Sequence, residues 1–172
     1  MKVEKTSLKG VSKITFSFFE DFRGRYVEYY DKNKYHKLGI DIDFVQDNIV
    51  VACKDNLRGI HGDDKTWKLM SCAQGRIYLV VVNCIKEDVN FGKWEGFTLT
   101  GENGIQILVP PKHGVGPFWL TDEAVFYYKQ STFYGEAKQF TYRFDDSRFN
   151  ILWPIKDPIL SKRDMLGEKN AV

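Results

Sequence analysis

The chain has 172 residues, 43% of them hydrophobic and 28% charged, which is the composition of one globular domain with a sizeable core. Its formal net charge is only +2 and no run of lysine or arginine forms a stripe, which argues against a role on nucleic acid or on a membrane surface. The first residues lack the apolar stretch of a signal peptide, and no apolar run approaches the ~20 residues that cross a bilayer, so we expect a cytoplasmic protein.

Runs rich in β-branched and aromatic residues follow one another along the chain, and turn residues separate them. We predict strands within 11–19, 24–30, 43–53, 67–74, 76–85, 94–100, 104–110, 124–131 and 140–146. Short strands at near-regular spacing favour an all-β sandwich or barrel over alternating strands and helices. Two short helices are predicted, one at 31–39 closed by Gly39 and one at 160–169 capped by Ser161.

The three cysteines, Cys53, Cys72 and Cys84, are odd in number and have unrelated spacings. Each has apolar neighbours. We therefore predict buried free thiols in a reducing compartment, and neither disulfides nor metal ligands.

The three histidines have different settings. His36 lies in the polar "NKYHKL" and is predicted to be exposed, and His113 follows "PPK" and is predicted to lie in a surface turn. His61 lies in "DNLRGIHGDD", between one glycine and a Gly-Asp turn. In an extended strand Arg58 and His61 would face opposite sides, unless Gly59 bends the chain. Of the three, His61 is the histidine whose setting suits a cavity.

Further polar residues interrupt the predicted strands. Taken one at a time, each is explained without a function, as a surface charge, as part of a turn or as part of aromatic packing. On inward positions of a barrel they would have to pair with each other or with a ligand. These residues include Arg23, Glu28, Gln46, Asn48, Tyr128 and, near the chain end, Asp164.

Together these pieces resemble a known family. The fragments "FEDFRGRYVEYY", "FVQDN", "LRGIH", "KLMSCAQGRIYLVVVN", "FGKWEGFTLT", "ILVPP", "AVFYYK", "RFDDSRFNILWP" and "PILSKRD" run in the order seen in RmlC-type nucleotide-sugar 3,5-epimerases (dTDP-4-dehydrorhamnose 3,5-epimerases). The resemblance covers most of the chain. It implies a cupin-type double-stranded β-helix, or jelly roll, with residues 1–172 as a single epimerase domain, and a homodimer.

The resemblance also implies a substrate, a nucleotide-diphosphate 4-keto-6-deoxy sugar inverted at C3, C5 or both. The form "RGIHGD…KTWKL" looks closest to epimerases of GDP-linked 4-keto-heptoses in bacterial capsule pathways. We therefore predict a GDP-linked 4-keto-heptose as the favoured substrate and dTDP-4-keto-6-deoxyglucose as the next.

Residue by residue, the resemblance implies the following roles. His61 matches the catalytic base, and Asp164 matches the carboxylate that holds its ring. Lys68 matches the lysine beside the keto oxygen, and Tyr128 matches the tyrosine on the opposite face of the sugar. The positions that match the nucleotide-sugar site are Arg23, Glu28, Gln46, Asn48 and Arg58, with Phe133 and Tyr134 near the base or the sugar.

The residue types suit the implied chemistry. A ketone acidifies the neighbouring C–H bonds, and neutral histidine is well suited to remove such a proton. A carboxylate on the other ring nitrogen fixes the tautomer, and a lysine can stabilise the enolate oxygen. Guanidinium groups such as Arg23 and Arg58 pair with diphosphate. Neither a metal nor a redox cofactor is implied.

Two features depart from the family pattern and leave the sugar and the number of inverted centres open. The turn after His61 is shorter and carries "GDDKT", and "HGVGPF" replaces the family's "AHGF", so that the family histidine falls on Val115. Three functions other than epimerisation are considered as alternatives. A metal-dependent cupin oxygenase is disfavoured, because its metal site needs a His-x-His pair with a following glutamate and a later histidine, and only one histidine lies near each candidate strand. A non-catalytic sugar-binding jelly roll and a related 3,4-ketoisomerase are the others.

Overall fold

The structure is a computed structural model, and it describes residues 1–167. Within that range, strands dominate and two short helices accompany them, so the prediction of an all-β chain is confirmed. The strands are β1 (Lys2–Lys5), β2 (Ser12–Thr15), β3 (Phe19–Asp21), β4 (Gly24–Tyr26), β5 (Gln46–Ala52), β6 (His61–Asp63), β7 (Lys68–Gln74), β8 (Arg76–Asn83), β9 (Trp94–Thr100), β10 (Ile105–Val109), β11 (His113–Trp119), β12 (Ala124–Gln130) and β13 (Gln139–Thr141). The helices are α1 (Lys32–Lys37) and α2 (Lys162–Leu166).

Two antiparallel sheets form the body of the molecule. One has six strands in the order β1-β2-β10-β7-β12-β5, and the other has five in the order β13-β6-β11-β8-β9. The hairpin β3–β4 forms a separate two-stranded sheet. Neighbouring strands often come from distant parts of the chain, so residues far apart in the sequence meet between the sheets.

The core lies between the two sheets. Met70, Ile107 and Phe126 enter it from the six-stranded sheet, and Leu79 and Trp119 enter it from the five-stranded sheet. All five are almost fully buried. Each side chain of this size contributes about 1.5–3 kcal/mol when it leaves water, so this layer holds the two sheets together.

Strand β11 corrects one prediction. His113 was expected in a surface turn, but it begins a strand of seven buried residues that pairs with β8. The glycines and prolines around it are turn signals in the sequence. In the fold, Gly114 is where Ile60 packs, and Gly116 is where both Ile60 and Trp153 pack, so these glycines make room for neighbouring side chains in the interior.

The cysteine prediction is confirmed for two residues and wrong for the third. Cys72 and Cys84 are free and buried, and burial raises the pKa of the Cys72 thiol to about 11 and that of the Cys84 thiol to about 12. Cys53 is free but exposed, because it follows the end of β5, which lies at the edge of the six-stranded sheet.

Both predicted helices are present, and the predicted N-cap of the second, Ser161, is confirmed. Helix α1 has Asp31 as its N-cap, and Gly39 follows it with a positive φ of 80°. Helix α2 has Ser161 as its N-cap and ends at Gly167 in the left-handed conformation. Residues 168 and 169 of the second predicted helix lie outside the described residues.

Gly59 provides the bend that the sequence left open. Its φ is +137°, a backbone conformation that residues with a β-carbon rarely adopt. An added β-carbon would overlap the carbonyl oxygen of Val115 on β11. With this bend, Arg58 and His61 line the same cavity, although they are three residues apart in an otherwise extended segment.

Gly59→Ala is therefore expected to destabilise the protein strongly. The backbone conformation alone should cost about 1–3 kcal/mol, and the overlap with β11 adds to it. Urea unfolding measures the loss. The control is Gly24→Ala, since Gly24 also has a positive φ, of 121°, but nothing lies within 4 Å of an added β-carbon. Equal losses in the two variants would contradict the proposed close approach to β11.

Candidate functional site

The centre of the candidate site is a pair of residues 103 positions apart. His61 begins β6, and its Nε2 lies 2.5 Å from Oδ1 of Asp164 on α2. The Asp164 side chain is 2% exposed and that of His61 is 31% exposed, so the pair is anchored inside and reaches a cavity. A carboxylate only accepts hydrogen bonds, so Nε2 carries the ring proton. Nδ1 is then the nitrogen that can accept a proton.

Asp164 is held ionised by its neighbours. Burial raises the pKa of its carboxyl group, but the hydrogen bond and charge of His61 outweigh burial, and Ser161 and Gly59 add to the lowering. The Ser161 hydroxyl donates to Oδ2 at 2.7 Å, and the Gly59 amide donates to Oδ1 at 3.3 Å. The net pKa lies below the usual value, so the group is a carboxylate at neutral pH.

A cavity of about 450 Å³ lies between the two sheets beside this pair. Strands of both sheets and the segment leading into α2 contribute to it. Its polar lining consists of Asn56, Arg58, His61, Lys68, Tyr128, Ser161 and Asp164. Its apolar lining consists of Val50, Leu57, Met70, Val115, Pro117, Phe126, Ile159 and Leu160. The four residues predicted to be catalytic thus line one cavity.

A second cavity of about 130 Å³ shares His61, Lys68 and Tyr128 with the first. It is lined otherwise by the rest of β6 and the turn after it, by the segment from the end of β12 to the start of β13, and by Arg163. Phe133 and Tyr134 lie on this loop and are largely exposed. The three shared side chains therefore form the boundary between a larger, more apolar space and a smaller one.

Tyr128 is suited to donate a proton. Burial raises the pKa of its phenol, and the nearby charge of Arg58 lowers it by less. The phenol is therefore protonated at neutral pH. Its ring packs against Phe126 with centroids 5.5 Å apart, which fixes its place on β12.

Of the residues predicted to bind the nucleotide sugar, some lie at or beside the two cavities and others lie away from them. Gln46 and Asn48 lie on β5, beside Tyr128 and Tyr134: the Gln46 amide oxygen accepts from the Tyr134 amide at 2.9 Å, and Asn48 lies opposite Tyr128 in the sheet. Gln46 also donates to Asn48 at 2.8 Å.

Arg23 and Glu28 lie outside the lining of both cavities. Arg23 is exposed in the β3–β4 hairpin, where its guanidinium contacts Asp21 at 2.7 Å. Glu28 follows the hairpin and pairs with Lys34 of α1 at 2.6 Å. Their role in substrate binding stays a prediction.

Some residues of the site carried no clear sequence signal. Ser161 was recognised as a helix cap, but its contact with the carboxylate of Asp164 was not. Asp63 was read as part of a turn, yet its carboxylate lies 3.2 Å from the Lys68 ammonium. One signal was available: Asp63 follows His61 by two positions, and such residues share a face of a strand.

No group of three or more His, Cys, Asp or Glu side chains in residues 1–167 is arranged to hold a metal ion. In the same range, no helix is long and apolar enough to span a membrane.

Fold and site together suit an acid–base enzyme, because a paired histidine, a lysine and a phenol line one cavity between two β-sheets. The sequence model of the dTDP-4-dehydrorhamnose 3,5-epimerases matches residues 5–170, and the chain belongs to this family. The predicted isomerase class, a nucleotide-sugar 3- or 3,5-epimerase, is thereby confirmed.

Individual relatives are similar to this chain over 90% or more of their own length. The dTDP-4-dehydrorhamnose 3,5-epimerase of Shigella flexneri is 34% identical, over 98% of this chain and 96% of its own. The crystal structure of the enzyme from Elizabethkingia anophelis is 36% identical with a TM-score of 0.87, and covers 98% of this chain and 96% of its own. The Legionella pneumophila enzyme in complex with dTDP-4-keto-L-rhamnose is 30% identical with a TM-score of 0.90, covering 96% and 90%. These likenesses confirm the predicted cupin jelly roll.

Ser161→Ala is expected to make the protein more sensitive to acid. A carboxyl group with a lowered pKa contributes stability above its ordinary pKa, and this contribution is lost as the pH falls through the lowered value. Without the Ser161 hydroxyl the pKa of Asp164 rises, so the loss begins at higher pH. The midpoint of acid unfolding, followed by circular dichroism, should move to higher pH.

The control for this prediction is Ser161→Thr, which keeps both the hydroxyl and the helix cap. It should unfold in acid as the wild type does. An acid-unfolding profile of Ser161→Ala that overlays the wild type would show that the hydroxyl does not support the Asp164 carboxylate.

Proposed function

We propose that the protein inverts C3, C5 or both in a nucleotide-diphosphate 4-keto-6-deoxy sugar, by removing a proton beside the ketone and returning one to the opposite face. The observation that carries this proposal is the His61–Asp164 pair, which lines one cavity together with Lys68 and Tyr128 in a chain of the epimerase family. Residues 1–172 would form one epimerase domain.

In the proposed reaction, His61 acts as the base through Nδ1. The C–H electron pair moves into a new C=C bond, and the carbonyl electrons move to the C4 oxygen, giving an enolate. Asp164 stabilises the imidazolium that forms, and the Lys68 ammonium stabilises the enolate oxygen. Tyr128 then protonates the carbon from the other face. Its phenolate and the imidazolium return to their starting states by proton exchange with water, so no atom or electron is gained or lost overall.

The comparisons favour a dTDP sugar as the substrate. The Legionella pneumophila protein binds dTDP-4-keto-L-rhamnose, and the Bacillus anthracis relative, 31% identical with a TM-score of 0.91 over 98% of this chain and 99% of its own, has TDP and diphosphate bound. We therefore propose dTDP-4-keto-6-deoxyglucose as the first substrate. The GDP-linked 4-keto-heptose favoured from the sequence, and with it the capsule pathway, finds no support in these relatives.

The number of inverted centres separates two forms of the proposal. Inversion at both C3 and C5 follows the family description. A 3′-monoepimerase from Streptomyces bikiniensis, in complex with dTDP-quinovose, is also similar, at 27% identity with a TM-score of 0.89 over 96% of this chain and 85% of its own. Inversion of C3 alone is therefore the second form.

Three further parts of the proposal concern nucleotide binding, the oligomeric state and the location of the protein. Arg58, which lines the larger cavity, would bind the diphosphate. Phe133 and Tyr134, which line the smaller cavity, would bind the substrate from that side. Gln46 and Asn48 line neither cavity but lie on β5 beside Tyr134 and Tyr128, and their part in binding is proposed with them. The homodimer, and the roles of Arg23 and Glu28, are proposals that sedimentation and substitution can test. A cytoplasmic location is consistent with the free buried thiols of Cys72 and Cys84.

The direct test is proton NMR in heavy water with dTDP- and GDP-linked 4-keto sugars. The proposal predicts that deuterium enters at C3, C5 or both, and that the configuration at those carbons changes. Migration of the ketone to C3 would indicate a 3,4-ketoisomerase. Binding without exchange would indicate a sugar-binding protein.

His61→Asn is expected to fold but to lose deuterium exchange by at least about 100-fold, because the amide cannot act as a base near neutral pH. His36→Asn is the matched control, since His36 lies on α1 and lines neither cavity. Exchange at the wild-type rate in His61→Asn would remove His61 as the base.

Tyr128→Phe is expected to keep exchange at one carbon while completed inversion falls by about 10-fold to 1,000-fold, because the proton donor of the opposite face is missing. NMR separates the two readouts, since exchange and inversion give different signals. Tyr127→Phe, one position away on the same strand and outside both cavities, is the control. Normal turnover by Tyr128→Phe would place the acid elsewhere.

A further inference from the structure

Lys68 has a carboxylate partner of its own. Its Nζ lies 3.2 Å from Oδ2 of Asp63, and the two side chains are only 15% and 8% exposed. Burial raises the pKa of Asp63, but the charge of Lys68 and the hydrogen bonds from Thr66 outweigh it, so the net pKa is lowered. The contact is therefore an ion pair at neutral pH, largely shielded from water.

The two oxygens of Asp63 have different partners. Oδ1 accepts from the backbone amides of Lys65 and Thr66, at 3.1 Å and 2.6 Å, and so closes the short turn between β6 and β7. Oδ2 is the oxygen that contacts Lys68. The turn needs only an acceptor at Oδ1, and a neutral amide can supply it. The contact with Lys68 needs the charge.

Position also separates the two side chains. Lys68 lines both cavities, whereas Asp63 lines only the smaller one. Asp63 therefore contacts the ammonium from the side of the smaller cavity. The larger cavity, which holds His61 and Asp164, is left free for the sugar.

We infer that Asp63 is a positioning residue for Lys68: its carboxylate fixes the ammonium at the boundary between the two cavities, where the enolate oxygen of the substrate would form. Asp63 and Asp164 then have parallel tasks, since each holds one cationic or proton-accepting side chain of the reaction. The effect of Asp63 on turnover rests on the proposed function, but its hold on Lys68 does not.

The physical reason is the flexibility of lysine. Its long, flexible side chain has many rotamers, so a free ammonium spends little time in any one place. An electrostatic catalyst is effective when its charge is in place before the reaction begins. A nearby buried carboxylate provides that order and compensates the charge while the cavity is empty.

Asp63→Asn is the decisive variant, because asparagine keeps the shape of the side chain and an oxygen for the turn but removes the charge at Oδ2. We expect kcat to fall by about 10-fold to 100-fold with little change in KM, as for a misplaced catalytic group. In a Lys68→Met background the same substitution should have almost no further effect, because the side chain it positions is gone. Urea unfolding of each variant shows whether the fold is kept.

Asp64→Asn is the matched control. Asp64 is the next residue, carries the same charge, and accepts from the Lys138 amide at 2.9 Å, a bond that asparagine can also accept. This variant should keep wild-type kinetics. Equal loss in the two variants would mean that any acid in this turn serves, and would overturn the specific role of Asp63.

A second readout does not depend on turnover. The rate at which Lys68 is acetylated by acetic anhydride, followed by mass spectrometry of its peptide, should rise several-fold in Asp63→Asn and not in Asp64→Asn, because the amine leaves the shielded pair. Unchanged labelling in Asp63→Asn would overturn the inference. If the wild type exchanged no deuterium with any sugar, the proposed function would fail, while the labelling result would still decide whether Asp63 holds Lys68.

Discussion

The contact between His61 and Asp164 is the constraint on which the rest of the site depends. The two residues are 103 positions apart, and the carboxylate is almost completely buried, so the pair exists only when β6 and α2 are docked against each other. A buried carboxylate is costly unless it is fully hydrogen-bonded, and here the ring, the Ser161 hydroxyl and the Gly59 amide supply the bonds. The same contacts that make the group tolerable in the interior also fix the ring that it orients.

Two side chains that line the cavity, His61 and Lys68, each contact a carboxylate that fixes their position. Asp164 accompanies His61, and Asp63 accompanies Lys68. Tyr128, which lines the same two cavities as His61 and Lys68, is kept neutral by burial. Fixed charges at low exposure act more strongly on a developing enolate than mobile charges in water would, because little reorganisation is needed when the charge appears.

The fold contributes the geometry of the walls. The larger cavity has its apolar lining from both sheets, and Val115 lies directly opposite His61 in the pairing of β11 with β6. This is the position where the resemblance aligned a histidine in other members of the family. In this chain the wall beside His61 is therefore apolar, and His113, two residues earlier, is enclosed and lines neither cavity. The departure from the family pattern at this position therefore changes the cavity wall and leaves His61, Lys68, Tyr128 and Asp164 in place.

The sequence by itself determined most strands, the glycine after α1, the N-cap of α2 and, through the resemblance, the four residues His61, Lys68, Tyr128 and Asp164 that line one cavity. These are local or pattern-based properties: alternation, turn residues and capping chemistry act within a few positions. It could not determine that β11 is an interior strand, since Gly114 and Gly116 read as turn residues until Ile60 is placed against them. Nor could it pair Asp63 with Lys68 or bring Arg58 to the side of His61. Those contacts depend on how distant strands register and on one bend at Gly59, and only the packed tertiary structure decides both.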